Sequence, residues 1–551
     1  MCLCHINMSV PDNMSDIAQS TGTMYVAIVG CCGAPFVIQA DDSQENPQEA
    51  IFAFLGDPAT HHGTATHRID THAAAVFLVG SQVFKVKRAV RFPFLDFSSL
   101  EKRKAACEAE IDANRPFAPE LYRGVLAITR EADGSLALAG RGRPVEWAVH
   151  MHRFDETKTL DHLADQRRID PDLADALARA VAVAHDKAPV ADATTWIEAI
   201  AAYVEQNDAA FRQRPDLFPA ADVNHLAQAC RGHLARVRPL LAARGRQGLV
   251  RRGHGDLHLG NIALIDARPV PFDALEFDPV VASGDVLYDL AFLLMDLIER
   301  RLAEAANIVF NRYLAVTRRD EDLDALAALP LFLCLRAAIR AKVTAARLAH
   351  AKQAEHAQIA ETSQTYFHLA TQLIAPSAPR LIAVGGLSGT GKSVLARALA
   401  PDLPPAPGAV VLRSDVERKL MLGAGETEPL PKDAYSAEIT ARVYADLVEK
   451  ARRVAASGHS AIVDAVFAKP QERASIAALA ANRVKFHGLF LTADLRTRVT
   501  RIGGRSHDAS DADAAVAHQQ ETLALGTMDW SEVDASGTPR QTLERAKKIL
   551  S

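Results

Sequence analysis

The stretch that most constrains this 551-residue chain starts at Ala375, Pro376, Ser377, Ala378 and Pro379. Prolines so closely spaced stop a preceding helix, because proline lacks the N–H that a helix interior needs and biases its predecessor toward extended backbone. An apolar run follows at once, Arg380, Leu381, Ile382, Ala383 and Val384, and reads as a buried strand. It leads into Gly386, Leu387, Ser388, Gly389, Thr390, Gly391, Lys392 and Ser393, and then into a helical stretch over 394–400. Strand, glycine-rich turn and helix in that order give G-x-x-x-x-G-K-[ST] the context it needs. Glycines let backbone N–H groups converge on phosphate oxygens with no Cβ in the way, and the helix N-terminus adds partial positive charge. Lys392 can neutralise the outer phosphates of a nucleotide, and Ser393 can ligate magnesium. Strands and helices alternate from here to residue 551, which predicts an α/β domain with a parallel sheet over 380–551.

In a parallel sheet the strand ends face the ligand crevice, so the residues that follow each strand are the next candidates. The apolar run 409–412 leads to Arg413, Ser414 and Asp415, with Arg418 three residues on. Asp415 is placed to take a proton from a substrate hydroxyl and Arg418 to hold that substrate. Asp415 would equally cap a helix over 416–420. The run 460–464 ends in Asp464, which either holds magnesium or its water or makes a second substrate contact. Arginines crowd 495–501, and Arg501 and Arg505 on a mobile segment over the phosphates would stabilise charge in transfer. A solvated helix face is the other reading of these arginines. With its phosphate loop, its Asp415-x-x-Arg418 pair and its Arg501-x-x-x-Arg505 segment, this half resembles the small P-loop kinases: gluconate kinase, chloramphenicol phosphotransferase, the zeta-toxin group and polynucleotide kinase. The resemblance implies ATP as donor, Asp415 as general base and lid arginines on the phosphates.

The first half has a different rhythm. Residues 76–79 and 83–86 are short apolar runs around Gly80 and Ser81 and predict a β-hairpin. Residues 160–370 carry helical spacing rich in Ala and Leu, interrupted near 250–285. That interruption reads His254, Gly255, Asp256, Leu257, His258, Leu259, Gly260, Asn261. An Asp five residues before an Asn is the spacing of the protein-kinase catalytic loop, where the Asp takes the hydroxyl proton and the Asn binds metal. Asp273, twelve residues beyond Asn261, stands where a second metal ligand is needed. Upstream, Lys85 in the hairpin and Glu110 in a predicted helix over 100–114 would form the ion pair that aligns the nucleotide phosphates. Lys87 shares a strand face with Lys85, and Glu108 rivals Glu110, so both choices stay open.

The HGDLHLGN run resembles the aminoglycoside phosphotransferase and choline-kinase-like proteins. Together with 83–88, 94–97 and 272–277 it is similar to bacterial two-domain proteins that fuse such a domain to a P-loop kinase, over about 50–551. The resemblance implies an α+β protein-kinase-like bilobal domain over 51–374, a linker over 375–379 and the P-loop domain over 380–551. It also implies Mg2+ and ATP in each half. Two departures stand out. Thr71, His72, Ala73 and Ala74 replace a glycine loop ahead of Lys85, and Asp273 is followed by Ala and Leu rather than Phe and Gly. Residues 147–151 read as the strand entering the interlobe hinge. His254 and His258 are expected to shape the catalytic loop, with Asp285 and Asp289 as its hydrogen-bond partners. Arg336, Arg340 and Lys342 read as a solvated helix face, or as the lining of an anionic acceptor pocket.

Composition narrows the partners. Sixty-two Lys and Arg against 67 Asp and Glu give a net charge of −5, with no positive excess to release counterions from nucleic acid. An aromatic content of 6% also leaves few stacking platforms for single strands, which weighs against a polynucleotide 5′-kinase in the second half. Seven cysteines without a CxxC spacing suit reduced thiols. No apolar run is long enough to span a membrane, since residues 24–40 are broken by Gly30, Gly33 and Pro35. Residues 1–50 are expected to be a disordered extension. The expectation is thus a cytoplasmic enzyme with ATP and Mg2+ as cofactors and an unidentified small-molecule acceptor for each half. The rival reading is a sensing module coupled to a nucleotide-driven switch, and the sequence leaves the oligomeric state open.

Overall fold

In the computed structural model, which describes residues 26–29, 35–38 and 48–550 except 72, 93, 94, 277, 279, 350, 481–483 and 505–508, the hairpin predicted over 76–86 is present. The chain divides into two units, Met1–Arg300 with Leu331–Ile374, and Arg301–Pro330 with Ala375–Ser551.

The first unit opens with helix α1 (Glu49–Gly56) and a six-stranded antiparallel sheet. Its strands are β1 (Thr66–Asp70), β2 (Ala74–Val79), β3 (Gln82–Lys87), β4 (Tyr122–Arg130), β5 (Leu136–Leu138) and β6 (Arg143–His152), in the spatial order β1-β2-β3-β6-β4-β5. Strand alternation sorts the side chains. Phe77, Val79, Phe84 and Val86 pack with Ile51, Phe52 and Leu55 of α1. Leu78 and Val83 lie on the opposite face, with Cys107 of helix α2 (Leu100–Asn114), so Lys85 and Lys87 in the same strand also point toward α2. Residue 147, the start of the expected hinge strand, lies within β6.

The remainder of this unit is mainly helical: α3 (Pro171–Lys187), α4 (Ala193–Arg212), α5 (Ala220–Arg246) and α6 (Val286–Glu299). Between α5 and α6 lie the short strands β7 (Val250–Arg252), β8 (Ile262–Ile265), β9 (Arg268–Pro271) and β10 (Ser283–Asp285), which pair as β7 with β10 and β8 with β9. The chain then leaves for the second unit as α7 (Ala303–Thr317) and α8 (Asp320–Ala325), and returns as α9 (Leu329–Ala346) and α10 (His356–Ile374).

The second unit is a five-stranded, wholly parallel sheet. Its elements are β11 (Arg380–Gly386), α11 (Lys392–Leu399), β12 (Val410–Arg413), α12 (Ser414–Met421), α13 (Ala437–Ala456), β13 (Ala461–Asp464), β14 (Lys485–Thr492), α14 (Leu495–Gly503), α15 (Ala514–Gln520), β15 (Ser531–Asp534) and α16 (Pro539–Leu550). The strand order is β12-β13-β11-β14-β15. Ile382, Val384, Ile462, Leu489 and Leu491 pack with Leu395 and Leu399 of α11 and Leu550 of α16. Burial on both faces explains why these strands read as continuous apolar runs. Val384, Asp464 and Arg413 lie level in the register, so their strands end side by side.

Two boundaries differ from expectation. The domain expected over 51–374 includes 301–330, yet these residues pack in the second unit. Strand β12 is an edge, and an edge carries unpaired backbone groups that need cover. Asn307 of α7 donates to the carbonyls of Pro407 and Ala409, both at 3.2 Å. Asn311 donates to Ala409 O at 3.1 Å and accepts from Val411 N at 2.7 Å. The expected extension over 1–50 also differs. Val26–Val29 and Pro35–Ile38 pair antiparallel, and α1 already begins at Glu49 because Ile51, Phe52 and Leu55 bury against the sheet.

Candidate active sites

The loop that carries Asp256 is held from below by α6. Asp289 accepts from the backbone N–H of His254 at 2.8 Å and of Gly255 at 2.9 Å. Asp296, seven residues along the same stripe, accepts from Leu259 N at 2.9 Å. His185 at 3.1 Å supports Asp289. Burial alone would raise the Asp289 carboxyl, but His185, Arg336 and His254 outweigh it and bring its pKa down to about 2. Gly255 sits at φ 78, where a Cβ would press on Leu275 and Ala282, so this tight turn needs glycine. Asp285, expected to share the task, instead pairs with Arg244 at 2.5 and 2.8 Å and caps α6. Arg336 is a correction as well. It is buried rather than part of a solvated face, and donates to Gly255 O at 3.1 Å and Tyr288 O at 3.3 Å.

Within the loop, Asn261 Nδ2 donates to the carbonyl of Asp256 at 3.0 Å and to its carboxylate at 3.1 Å. The two residues are therefore one unit, as their five-residue spacing implies. His254 meets Phe272 O at 2.9 Å, and the His258 ring accepts from Gly260 N at 3.1 Å. Phe272 N donates to Asn261 O at 2.9 Å and Leu275 N to His254 O at 3.0 Å, so the loop and the segment carrying Asp273 are stitched together.

Lys87 and Lys85 both pair with Glu110, and Lys85 pairs with Asp273 as well. The Lys85 Nζ lies 2.9 Å from Glu110 and 2.7 Å from Asp273. Burial alone would lower its pKa, but Asp273, Glu110 and Glu276 outweigh burial and hold it above the ordinary lysine value. Helix α2 buries Arg103, Cys107, Glu110 and Asn114, a stripe at helical spacing. Glu108 falls off that stripe and pairs on the surface with Lys104 at 3.4 Å. Asp273 is at φ 60 and donates its backbone N–H to Tyr122 Oη at 3.1 Å.

In the second unit the glycine-rich turn follows β11 and opens α11. Gly386, Gly389 and Gly391 have φ 137, 87 and 95. A Cβ on Gly389 would meet Arg498 O at 2.6 Å, whereas around Gly391 nothing lies within 4 Å, leaving a cradle open to a phosphate. Thr390 and Lys392 both donate to Leu387 O, at 2.8 and 3.2 Å. Ser393 donates its hydroxyl to Asp464 at 2.5 Å, and Arg413 reaches the same hydroxyl at 3.2 Å. Asp464 thus lies at the serine of the phosphate loop. Asp415 is pushed above the ordinary carboxylate range by burial and by Asp464, with Lys392 and Arg413 opposing. Arg418 is 6% exposed, donates to Ala434 O at 2.8 Å and lies over the Tyr435 ring. Arg501 reaches Thr390 O at 3.4 Å and Gly537 O at 2.7 Å. Arg505 lies outside the described residues.

Sequence reasoning missed several supporting groups. Asn114 accepts from Ala274 N at 2.9 Å, just past Asp273. Arg498, 1% exposed, donates to Ser388 O at 2.9 Å, and Gln520 accepts from Ser388 N at 2.7 Å. No local motif marks these residues, because each acts across a long sequence separation. Asn114, one helical turn beyond Glu110, is the one that helical spacing would have found.

Among the described residues no three His, Cys, Asp or Glu side chains converge as a metal cluster. The oxygen donors come in smaller sets, Asp256 with Asn261 beside the Asp273 segment, and Ser393 with Asp464. Hard oxygen donors in such sets fit a magnesium ion that completes its shell with water and phosphate oxygens. Among the described residues no helix is long and apolar enough to cross a membrane.

Residues 381–524 match the family model described as an AAA domain. An uncharacterized protein of Mycobacterium tuberculosis is 30% identical over 495 residues, which cover 87% of this chain and 94% of that protein. Among solved structures, a sugar kinase from Janibacter is 23% identical, covering 31% of this chain and 94% of that one, with a TM-score of 0.26. A choline kinase from Cryptosporidium parvum is 11% identical, covering 57% of this chain and 90% of that one, with a TM-score of 0.37.

Proposed function

The chain belongs to the family of this mycobacterial protein, and we propose that it is an ATP- and magnesium-dependent kinase with a phosphotransfer site in each unit. Each site moves the ATP γ-phosphate to a hydroxyl of a small molecule. The observation that carries this reading is Lys85, whose ammonium is shared between Glu110 and Asp273. A lysine so placed can exchange a carboxylate for phosphate oxygens without leaving its helix partner.

In the first unit Asp256 accepts the proton of the acceptor hydroxyl as that oxygen bonds to phosphorus and ADP departs. Asn261 keeps the Asp256 carboxylate turned by its 3.1 Å hydrogen bond, and its amide oxygen and Asp273 are the groups that would hold magnesium. In the second unit Lys392 and the backbone N–H groups after Gly389 receive the phosphates, Ser393 and Asp464 would hold the ion, and Asp415 takes the acceptor proton. Arg501, beside Thr390, and Arg505 supply positive charge as it is needed, and Arg418 borders the acceptor. Magnesium, when bound, draws off charge that develops on the phosphates.

The acceptors can be sought with the intact chain, isotopically labelled ATP and a metabolite extract, reading labelled products by mass spectrometry. ADP release that requires an acceptor supports transfer. Steady hydrolysis without any acceptor contradicts it and favours a nucleotide-driven switch.

A further inference from the structure

Lys87 has no part in the reading above, yet it sits in the same buried array. Its side chain is 3% exposed, and its Nζ lies 2.5 Å from Glu110 Oε2 and 2.5 Å from Glu276 Oε1. The ammonium also lies over the Phe97 ring, 5.5 Å from its centre. Glu276 follows Asp273 by three residues, so the groups close a ring. Lys85 joins Asp273 to Glu110, Lys87 joins Glu110 to Glu276, and the backbone of 273–276 returns to Asp273. Asn114 tethers that backbone a second time through Ala274. Asp273 occupies the left-handed region, which few residues with a side chain adopt, although Asp does so more readily than most.

Charge gives the ring a purpose. Two lysines face three carboxylates. If an ion takes Asp273 and phosphate takes Lys85, Glu110 and Glu276 still have Lys87. Without Lys87 they would have only Lys85, and a buried carboxylate does not tolerate the loss of its partner. Lys87 thus anchors Glu276 and, with it, the backbone that carries Asp273.

We propose that Lys87 is a positioning residue for the magnesium complex of the nucleotide in the first unit: through Glu276 it fixes where Asp273 presents its carboxylate. The proposal rests on the reading of this unit as an ATP site. It differs from a purely packing role in what it does to magnesium. A fault confined to Asp273 weakens binding of the magnesium complex and spares the metal-free nucleotide.

The test uses the full chain carrying Lys392→Ala, so that the first site alone reports. Binding of a non-hydrolysable ATP analogue is measured by calorimetry, with magnesium and again with chelator. Lys87→Met is expected to weaken the magnesium complex about tenfold or more, the scale of losing support behind a metal ligand, with a much smaller change in chelator. Lys87→Arg restores most of the loss. Glu276→Gln keeps the Lys87–Glu110 pair and gives a smaller loss that is again selective for magnesium. It decides the matter alone if Lys87→Met fails to fold by circular dichroism. Folded variants that bind the magnesium complex as the parent does, or that lose both forms by the same factor, overturn the proposal. A Lys392→Ala parent that binds no analogue overturns the ATP-site reading itself, before any Lys87 variant is compared.

Discussion

Ser393 and Asp464 meet at 2.5 Å, hydroxyl to carboxylate, although 71 residues separate them. Parallel register makes this possible. Val384 of β11 lies opposite Asp464 of β13, so the strand that launches the phosphate loop and the strand that ends in the carboxylate finish together. Arg413, level with Asp464 on the next strand, reaches the same hydroxyl. The second site is therefore built where parallel strands end, the usual crevice of such sheets.

Lys392→Ala should reduce transfer by the second unit about 10²–10³-fold, the cost of one central electrostatic donor. The first unit should be untouched. Acceptor-dependent ADP release in a chain that also carries Asp256→Asn isolates the effect.

Asp256→Asn should abolish transfer by the first unit while nucleotide still binds, because Lys85, Glu110 and Asp273 are left in place. Calorimetry beside a turnover assay in the Lys392→Ala background separates the two quantities. Loss of binding together with turnover would remove Asp256 from the role of base.

Asp415 carries a pKa raised above the ordinary carboxylate range by burial and Asp464. As the base it must be ionised, so second-unit kcat/KM is full above that raised pKa and falls as pH drops through it. The acid limb should lie above the ordinary carboxylate range, and relief of Asp464 by Asp464→Asn should move it down.

Asp289 behaves in the opposite sense. Its folded pKa of about 2 lies below the unfolded value, so its contribution is complete above the ordinary carboxylate range and is lost as pH falls toward 2. The shift corresponds to about 2 kcal/mol, at about 1.4 kcal/mol for each pH unit. Asp289→Ala should cost about 3 kcal/mol or more, since His254 N–H, Gly255 N–H and Arg336 lose their buried partner. Calorimetric melting of the first unit between pH 7 and pH 3 checks both the slope and the loss.

A fragment covering 380–551 lacks α7 and α8, and so exposes the β12 edge. It should be less stable and more prone to associate than a version with 301–330 restored. Asn311→Ala in the full chain should cost about 1–3 kcal/mol, because Val411 N–H loses its acceptor. Denaturant unfolding and light scattering measure the two effects.

What could be read from the sequence was local. The phosphate loop and the Asp256–Asn261 loop each lie within eight residues, and strand, turn and helix agree around the first of them. Strand alternation puts the two lysines on one face, but only packing chooses Glu110 over Glu108, since it decides which stripe of α2 is buried. Arg336 misled because, taken with Arg340 and Lys342, it looks like part of a solvated face, and its partner Gly255 lies 81 residues away. Helices α7 and α8 carry no mark of which core they join. Asn307 and Asn311 tie α7 to the β12 edge, and Asp324 of α8 pairs with Arg453 of α13 at 3.3 Å, contacts that no local pattern marks.

The central claim is that one polypeptide holds two separate nucleotide sites, and a saturation titration with a non-hydrolysable ATP analogue and magnesium measures it. The account predicts two molecules bound per chain, with Lys392→Ala removing one and Lys85→Met removing the other. A chain that binds fewer than two, or one that still binds two after Lys392→Ala, contradicts it.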